Sequence, residues 1–219
     1  MNGIRLAVSG RADGNMGFTR APDPDAVRAA RRRFLLGAGM DPAAAVSVLQ
    51  VHGRGVLRAG PAERGRLLGE ADVLVTAERG LPLLVLGADC CVGAVASADG
   101  RALGVFHAGW RGARAGAPAA AVEALRREFD ADPAAMVAVL GPAIGPCCYE
   151  VGEEVAREFP GRMTGGRLDL PGAVRDGLIA AGIPPEAVSP PGPCTLCGDV
   201  WYSHRRGDPE RQALAAMIE

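Results

Sequence analysis

Short apolar runs set the tightest limit on what this chain can become. Residues 4–9, 46–51, 71–76, 81–86, 92–98, 103–107 and 137–140 are each rich in small and branched apolar side chains and lie among Gly, Pro, Asp and Asn turns. Runs of that length suit buried strands and are short for helices. Longer segments with helical character lie between or after them. Residues 27–36 follow Asp23 and Pro24, a cap and a first-turn proline. Residues 111–129 place Ala121, Val122, Leu125 and Phe129 on one stripe. Residues 150–159 and 170–181 also read as helices, and residues 208–218 read as a last one, with Asp208 as cap and Pro209 at its first position. Strands outnumber helices without strict alternation, which predicts an α+β fold with mixed sheets over a doubly wound parallel sheet. At 219 residues, with no internal repeat, the chain is expected to form one domain over 1–219.

Composition removes several classes of function. The net charge of -1 gives no general attraction to nucleic acid or to an anionic membrane. All 24 basic residues are Arg, so a lysine Schiff base and a P-loop lysine are excluded. Any phosphate must be held by Arg, backbone N–H groups or a metal. Arg28, Arg31, Arg32 and Arg33 read as a solvated helix face. No basic segment leads into a long apolar stretch near the start and no run of membrane-spanning length occurs, so a cytoplasmic protein is expected. In that compartment the six cysteines, grouped as Cys90/Cys91, Cys147/Cys148 and Cys194/Cys197, read as thiols, ligands or core residues and not as disulfides.

The chain has three histidines, and each sits in a short polar motif: His52 after Gln50-Val51, His107 before Ala108-Gly109-Trp110-Arg111-Gly112, and His204 before Arg205-Arg206. His52, Cys90 and His107 all fall at or near predicted strand ends. Two imidazoles and a thiolate are ligands that zinc prefers, and three protein ligands leave a fourth position open. The same residues also allow a Cys90 nucleophile with His107 or His52 as its base. Asp89 is the adjacent carboxylate, suited to acid–base work, to orienting a ligand, or to forming a turn. Arg111, Arg205 and Arg206 are the nearest cations for a phosphate. Cys194-Thr195-Leu196-Cys197 has the spacing of half a zinc site or of a redox pair, but it has no second half at zinc-ribbon distance and no βαβ thioredoxin context, so it reads as a loop with buried thiols.

Taken in order, these motifs resemble the YfiH/laccase-domain-containing family, described both as multicopper polyphenol oxidases and as purine nucleoside phosphorylases. The resemblance runs from Ser9 onward. It rests on Gln50-Val51-His52-Gly53, Ala88-Asp89-Cys90, His107 to Gly112, the Gly141 to Val151 stretch, Cys194-Thr195, and Tyr202 to Arg206. It implies a four-layer α/β/β/α sandwich of two mixed sheets with helices outside. It also implies a zinc ion on His52, Cys90 and His107, with copper as the alternative metal. The implied activity is phosphorolysis of adenosine, inosine, guanosine and methylthioadenosine, with adenosine deamination as a side activity. Nucleoside and phosphate are then the partners, with no nucleic acid or membrane involved. His52, Asp89, Cys90 and His107 are the catalytic candidates, and Asn15, Arg111, His204 and Arg205 are the substrate-binding candidates. A Cys/His hydrolase, a copper-dependent polyphenol oxidase and a non-enzymatic metal-stabilised cell-wall or division accessory protein are the competing readings. The chain departs from the family pattern at Cys90-Cys91-Val92-Gly93, which lacks a proline, in the shortened loop 10–17, and in Arg205 to Arg211.

Overall fold

A computed structural model describes residues 3–19 and 21–219. The strands are β1 (Ile4–Val8), β2 (Val46–Leu49), β3 (Val56–Arg58), β4 (Leu67–Glu70), β5 (Val73–Thr76), β6 (Leu83–Gly87), β7 (Cys91–Ser97), β8 (Leu103–Ala108), β9 (Met136–Leu140), the short β10 (Met163–Thr164) and β11 (Arg167–Leu168), and β12 (Gln212–Ile218). The helices are α1 (Pro24–Gly37), α2 (Trp110–Ala115), α3 (Ala117–Phe129), α4 (Glu153–Ala156) and α5 (Leu170–Ala180).

Two five-stranded sheets carry the fold, in the orders β1-β12-β6-β2-β4 and β3-β5-β8-β7-β9. Both are mixed. In the first, β12 is antiparallel to β1 and β6, whereas β2 is parallel to β6 and β4. In the second, only β3 and β5 run parallel. The period of two along each strand sorts side chains into separate cores. Leu83, Val85, Leu214 and Ala216 meet Leu74, Val92, Leu103 and Val105 between the sheets. Leu84, Ala213, Ala215 and Met217 face the other way, onto Ala30, Phe34 and Leu35 of α1. On the far side of the second sheet, Val73, Val95 and Phe106 pack with Ala121 and Leu125 of α3 and Val174 and Leu178 of α5. The result is the expected four-layer α/β/β/α sandwich.

Four expectations need correction. The segment 208–218 is no helix: residues 212–218 form β12, buried along its whole length. Its Ala and Met residues favour a helix in isolation, but burial on both faces between β1 and β6 overrides that weak preference. The stretch 111–129 is two helices, because Gly116 takes a left-handed conformation (φ 85°, ψ 34°) that ends α2 and starts α3. The helix expected over 150–159 shrinks to α4. Finally, Arg31 leaves the solvated face: its Nε donates to the Met16 carbonyl at 2.7 Å, its guanidinium stacks on Phe18, and burial lowers its pKa to about 10.

Candidate metal centre and active site

Three chain segments meet at one end of the second sheet. β8 carries His107, the turn from β6 to β7 carries Cys90, and the loop leaving β2 carries His52. One imidazole nitrogen from each histidine and the Cys90 Sγ all lie within 4.8 Å of one another. The two rings meet edge to face, with centroids 4.9 Å apart and planes at 83°. Their exposure is graded: His52 is exposed, Cys90 half-buried and His107 buried.

Two backbone conformations aim these side chains. His52 (φ 61°) and Asp89 (φ 83°) are left-handed, a region that costs a non-glycine residue roughly 1–2 kcal/mol. Hydrogen bonds hold both. The fully buried Asp72 accepts from the backbone N–H groups of Val51 at 3.3 Å, His52 at 3.0 Å and Gly53 at 2.6 Å. The same carboxylate lies 2.8 Å from His107 Nδ1. That contact fixes the ring and leaves Nε2 for Cys90 or a metal, the usual support for a ligating histidine. Gly109 closes the site: a Cβ there would stand 2.8 Å from Cys90 Sγ and 3.2 Å from His52 Cδ2.

The electrostatics follow from these contacts. Burial alone would push the Cys90 thiol up, but the hydrogen bonds and charges of His107 and His52 outweigh it and bring it to about 6. Burial opposes charge on His107 as well, yet Asp72 and Cys90 raise it to about 9. Burial works against the Asp72 carboxylate too, and His107 with the N–H groups of Gly53 and His52 still holds it below its ordinary range. Without a metal, the pair is therefore stable as thiolate and imidazolium across neutral pH.

The remaining predicted residues separate. Asp89 does not face the triad as a free base: its carboxylate accepts from the Thr195 hydroxyl at 2.6 Å, the Ser203 hydroxyl at 3.1 Å and the Arg205 N–H at 2.7 Å. Asn15 spends its amide on Gly17 and on the Arg211 N–H, which shapes its own loop. Arg205 donates to the Glu150 carbonyl and stacks on Tyr149, whereas His204 is exposed and outside the ligand group. Arg111 does reach the site: with His52, Trp110, Arg114 and Ala115 it lines a cleft of ≈ 550 Å³, its guanidinium 4.2 Å from the Trp110 ring centroid.

Two neighbours escaped the sequence reading. Asp72 opens a buried apolar run and looks like a turn residue, and its partner His107 is 35 positions away. Tyr149 is raised to about 12, first by burial and then by the charge of Cys90, with Arg205, Asp89 and Arg111 also acting on it, and the Arg205 guanidinium lies 5.3 Å from its ring centroid. Its only signal was its place in the Gly141 to Val151 motif.

The chain is similar to known proteins along most of its length. A purine nucleoside phosphorylase of Streptomyces griseus is 38% identical over 202 residues, covering 88% of this chain and 81% of that protein. Another, from Xylella fastidiosa strain Temecula1, is 34% identical over 93% of this chain and 83% of its own length. Among solved structures, YlmD from Geobacillus stearothermophilus superposes with a TM-score of 0.92 at 26% identity, covering 100% of this chain and 93% of that one. Bacillus licheniformis YfiH gives 0.86 at 26% identity over 94% of this chain and 85% of that one. A family profile described as multi-copper polyphenol oxidoreductase laccase matches residues 7–219, and the chain belongs to that family.

Proposed function

We propose that the protein is a zinc-dependent purine nucleoside phosphorylase working at His52, Cys90 and His107. Adenosine, inosine, guanosine and methylthioadenosine are its substrates, and adenosine deamination is a second activity. The observation that carries this reading is the convergence of two imidazoles and one thiol, with His107 braced by the buried Asp72, at a cleft edged by Arg111. The donor set fits zinc with an open fourth position. It does not fit a multicopper cluster, because the chain has three histidines and His204 is outside the group.

In phosphorolysis a phosphate oxygen bonds to ribose C1′ while the C1′–N9 bond breaks, and the purine leaves with the electron pair and takes up a proton. In deamination, water adds at C6 and ammonia leaves. A zinc ion on the three ligands would supply Lewis-acid stabilisation of the charge that develops. The protein's own contribution is placement. Asp72 holds His107 and the 51–53 loop in register. Asp89, tied to Thr195, Ser203 and Arg205, fixes the turn that presents Cys90. Arg111 is the cation for the phosphate, since Arg114 is already paired with Glu158.

Incubation with inosine or adenosine and phosphate, followed by chromatography, should yield free base and ribose 1-phosphate. His52→Ala should lose zinc from this site and cut turnover by on the order of 100-fold or more. Arg111→Ala should instead raise the KM for phosphate about tenfold, the loss of one charge-assisted contact, with the metal retained. Full phosphorolysis by metal-depleted protein, or phenol oxidation by copper-loaded protein without any phosphorolysis, would overturn the assignment.

A further inference from the structure

The C-x-x-C pair at Cys194 and Cys197 finds its missing half in the vicinal cysteines Cys147 and Cys148. A backbone clamp joins the two segments: the Ala143 N–H donates to the Pro193 carbonyl at 3.2 Å and the Thr195 N–H to the Ala143 carbonyl at 3.0 Å. The four Sγ atoms then lie within 4.8 Å of one another. Cys147 and Cys148 both approach Cys197, at 3.3 Å and 3.4 Å. One disulfide cannot satisfy both contacts, whereas a shared ion can. A tetrahedral ion with sulfur at about 2.3 Å needs its ligands roughly 3.8 Å apart, inside the observed span. The Gly145 N–H also points at Cys194 Sγ at 3.3 Å, a contact that favours a thiolate. Cys147 and Cys197 are exposed and their two companions half-buried, so an ion has a path from solvent.

We propose that Cys147, Cys148, Cys194 and Cys197 form a second metal site, a closed tetrathiolate that takes zinc as a structural ion. Four sulfur ligands with no open position belong to the structural class of zinc sites, unlike the three-ligand centre at His52. The ion would staple the 141–148 loop to the 194–197 turn. That turn matters to the first centre. Thr195 between the two cysteines donates to Asp89, the residue before Cys90, and Arg206 donates to the Thr195 and Leu196 carbonyls at 3.2 Å and 3.1 Å. Losing the staple would free the segment that holds Asp89.

The test uses the full chain, expressed with zinc and purified under reducing conditions, with metal measured by mass spectrometry. Wild-type protein should carry about two zinc ions per chain, and Cys194→Ser/Cys197→Ser about one. The His52→Ala/Cys90→Ser variant should also keep about one, and X-ray absorption on it should show four sulfur neighbours at about 2.3 Å. That last measurement leaves the four cysteines intact and does not depend on a cysteine variant folding. The proposal is overturned if His52→Ala/Cys90→Ser protein holds no zinc, if its metal has nitrogen or oxygen neighbours, or if Cys197 emerges in a disulfide from reducing purification. The reading of the His52 centre fails separately: a single zinc in wild-type protein, bound by four sulfurs, would sink that assignment and support this one.

Discussion

Asp72 ties two of the three candidate ligands, His52 and His107, together through one carboxylate, so its removal should be felt at both. Asp72→Asn keeps the volume but cannot accept in the same pattern from His107 and from three backbone N–H groups. Metal affinity at this centre should fall about 10–100-fold, read by competition with a chelator. Gly109→Ala, which drives a Cβ toward Cys90 Sγ, should lose metal there while the fold survives. The Cys90 thiol, brought to about 6, gives a pH prediction for protein stripped of metal. The thiolate is the form that is alkylated, so Cys90 labelling should rise as pH increases through about 6, far below the ~8.5 of a free cysteine. A midpoint near 8.5 in peptide mapping would show that the imidazoles do not charge it. His52, Cys90 and His107 were legible as candidates because the chain has three histidines and each candidate sits in a short motif at or near a predicted strand end. Asp72 was not, because a carboxylate becomes a ligand support only through a neighbour brought to it by folding.

At the scale of elements, the break between α2 and α3 depends on one backbone conformation. Among the described residues, a Cβ at Gly116 would meet Arg54 Nη1 alone, at 3.8 Å, so Gly116→Ala tests the left-handed φ with little steric interference. It should cost about 1–2 kcal/mol, lowering Tm by about 2–4 °C for each kcal/mol, with the site intact. The break escaped sequence reading because the apolar stripe continues through it. The runs at 71–76, 81–86, 92–98, 103–107 and 137–140 did announce β5 to β9, since buried strands need continuous apolar side chains. β3 and β4 lack that signal, having exposed or half-buried residues throughout. In β12 the pattern was present but ambiguous, since Ala213, Ala215 and Met217 serve one core while Leu214, Ala216 and Ile218 line the other side of the strand.

For the whole molecule, the layer order was implied by resemblance, while strand order and register had to come from the structure. Both depend on which apolar faces find one another, a property no local window contains. The meeting of the two cysteine pairs, 46 residues apart in the chain between Cys148 and Cys194, is the same kind of fact. The two sheets also differ in reach. β5, β8, β7 and β9 of the second sheet all fall between residues 73 and 140, whereas the first pairs Ile4 with Ile218. Closing so long a loop is slow, and local pairings precede distant ones. Pulse-labelled hydrogen exchange during refolding should therefore find β7 and β8 protected before β1 and β12. Cys90, His107 and Asp72 belong to the early half and His52 to a loop leaving the late one. In time as well as in space, the centre spans a seam, complete only when the slower sheet delivers its last ligand.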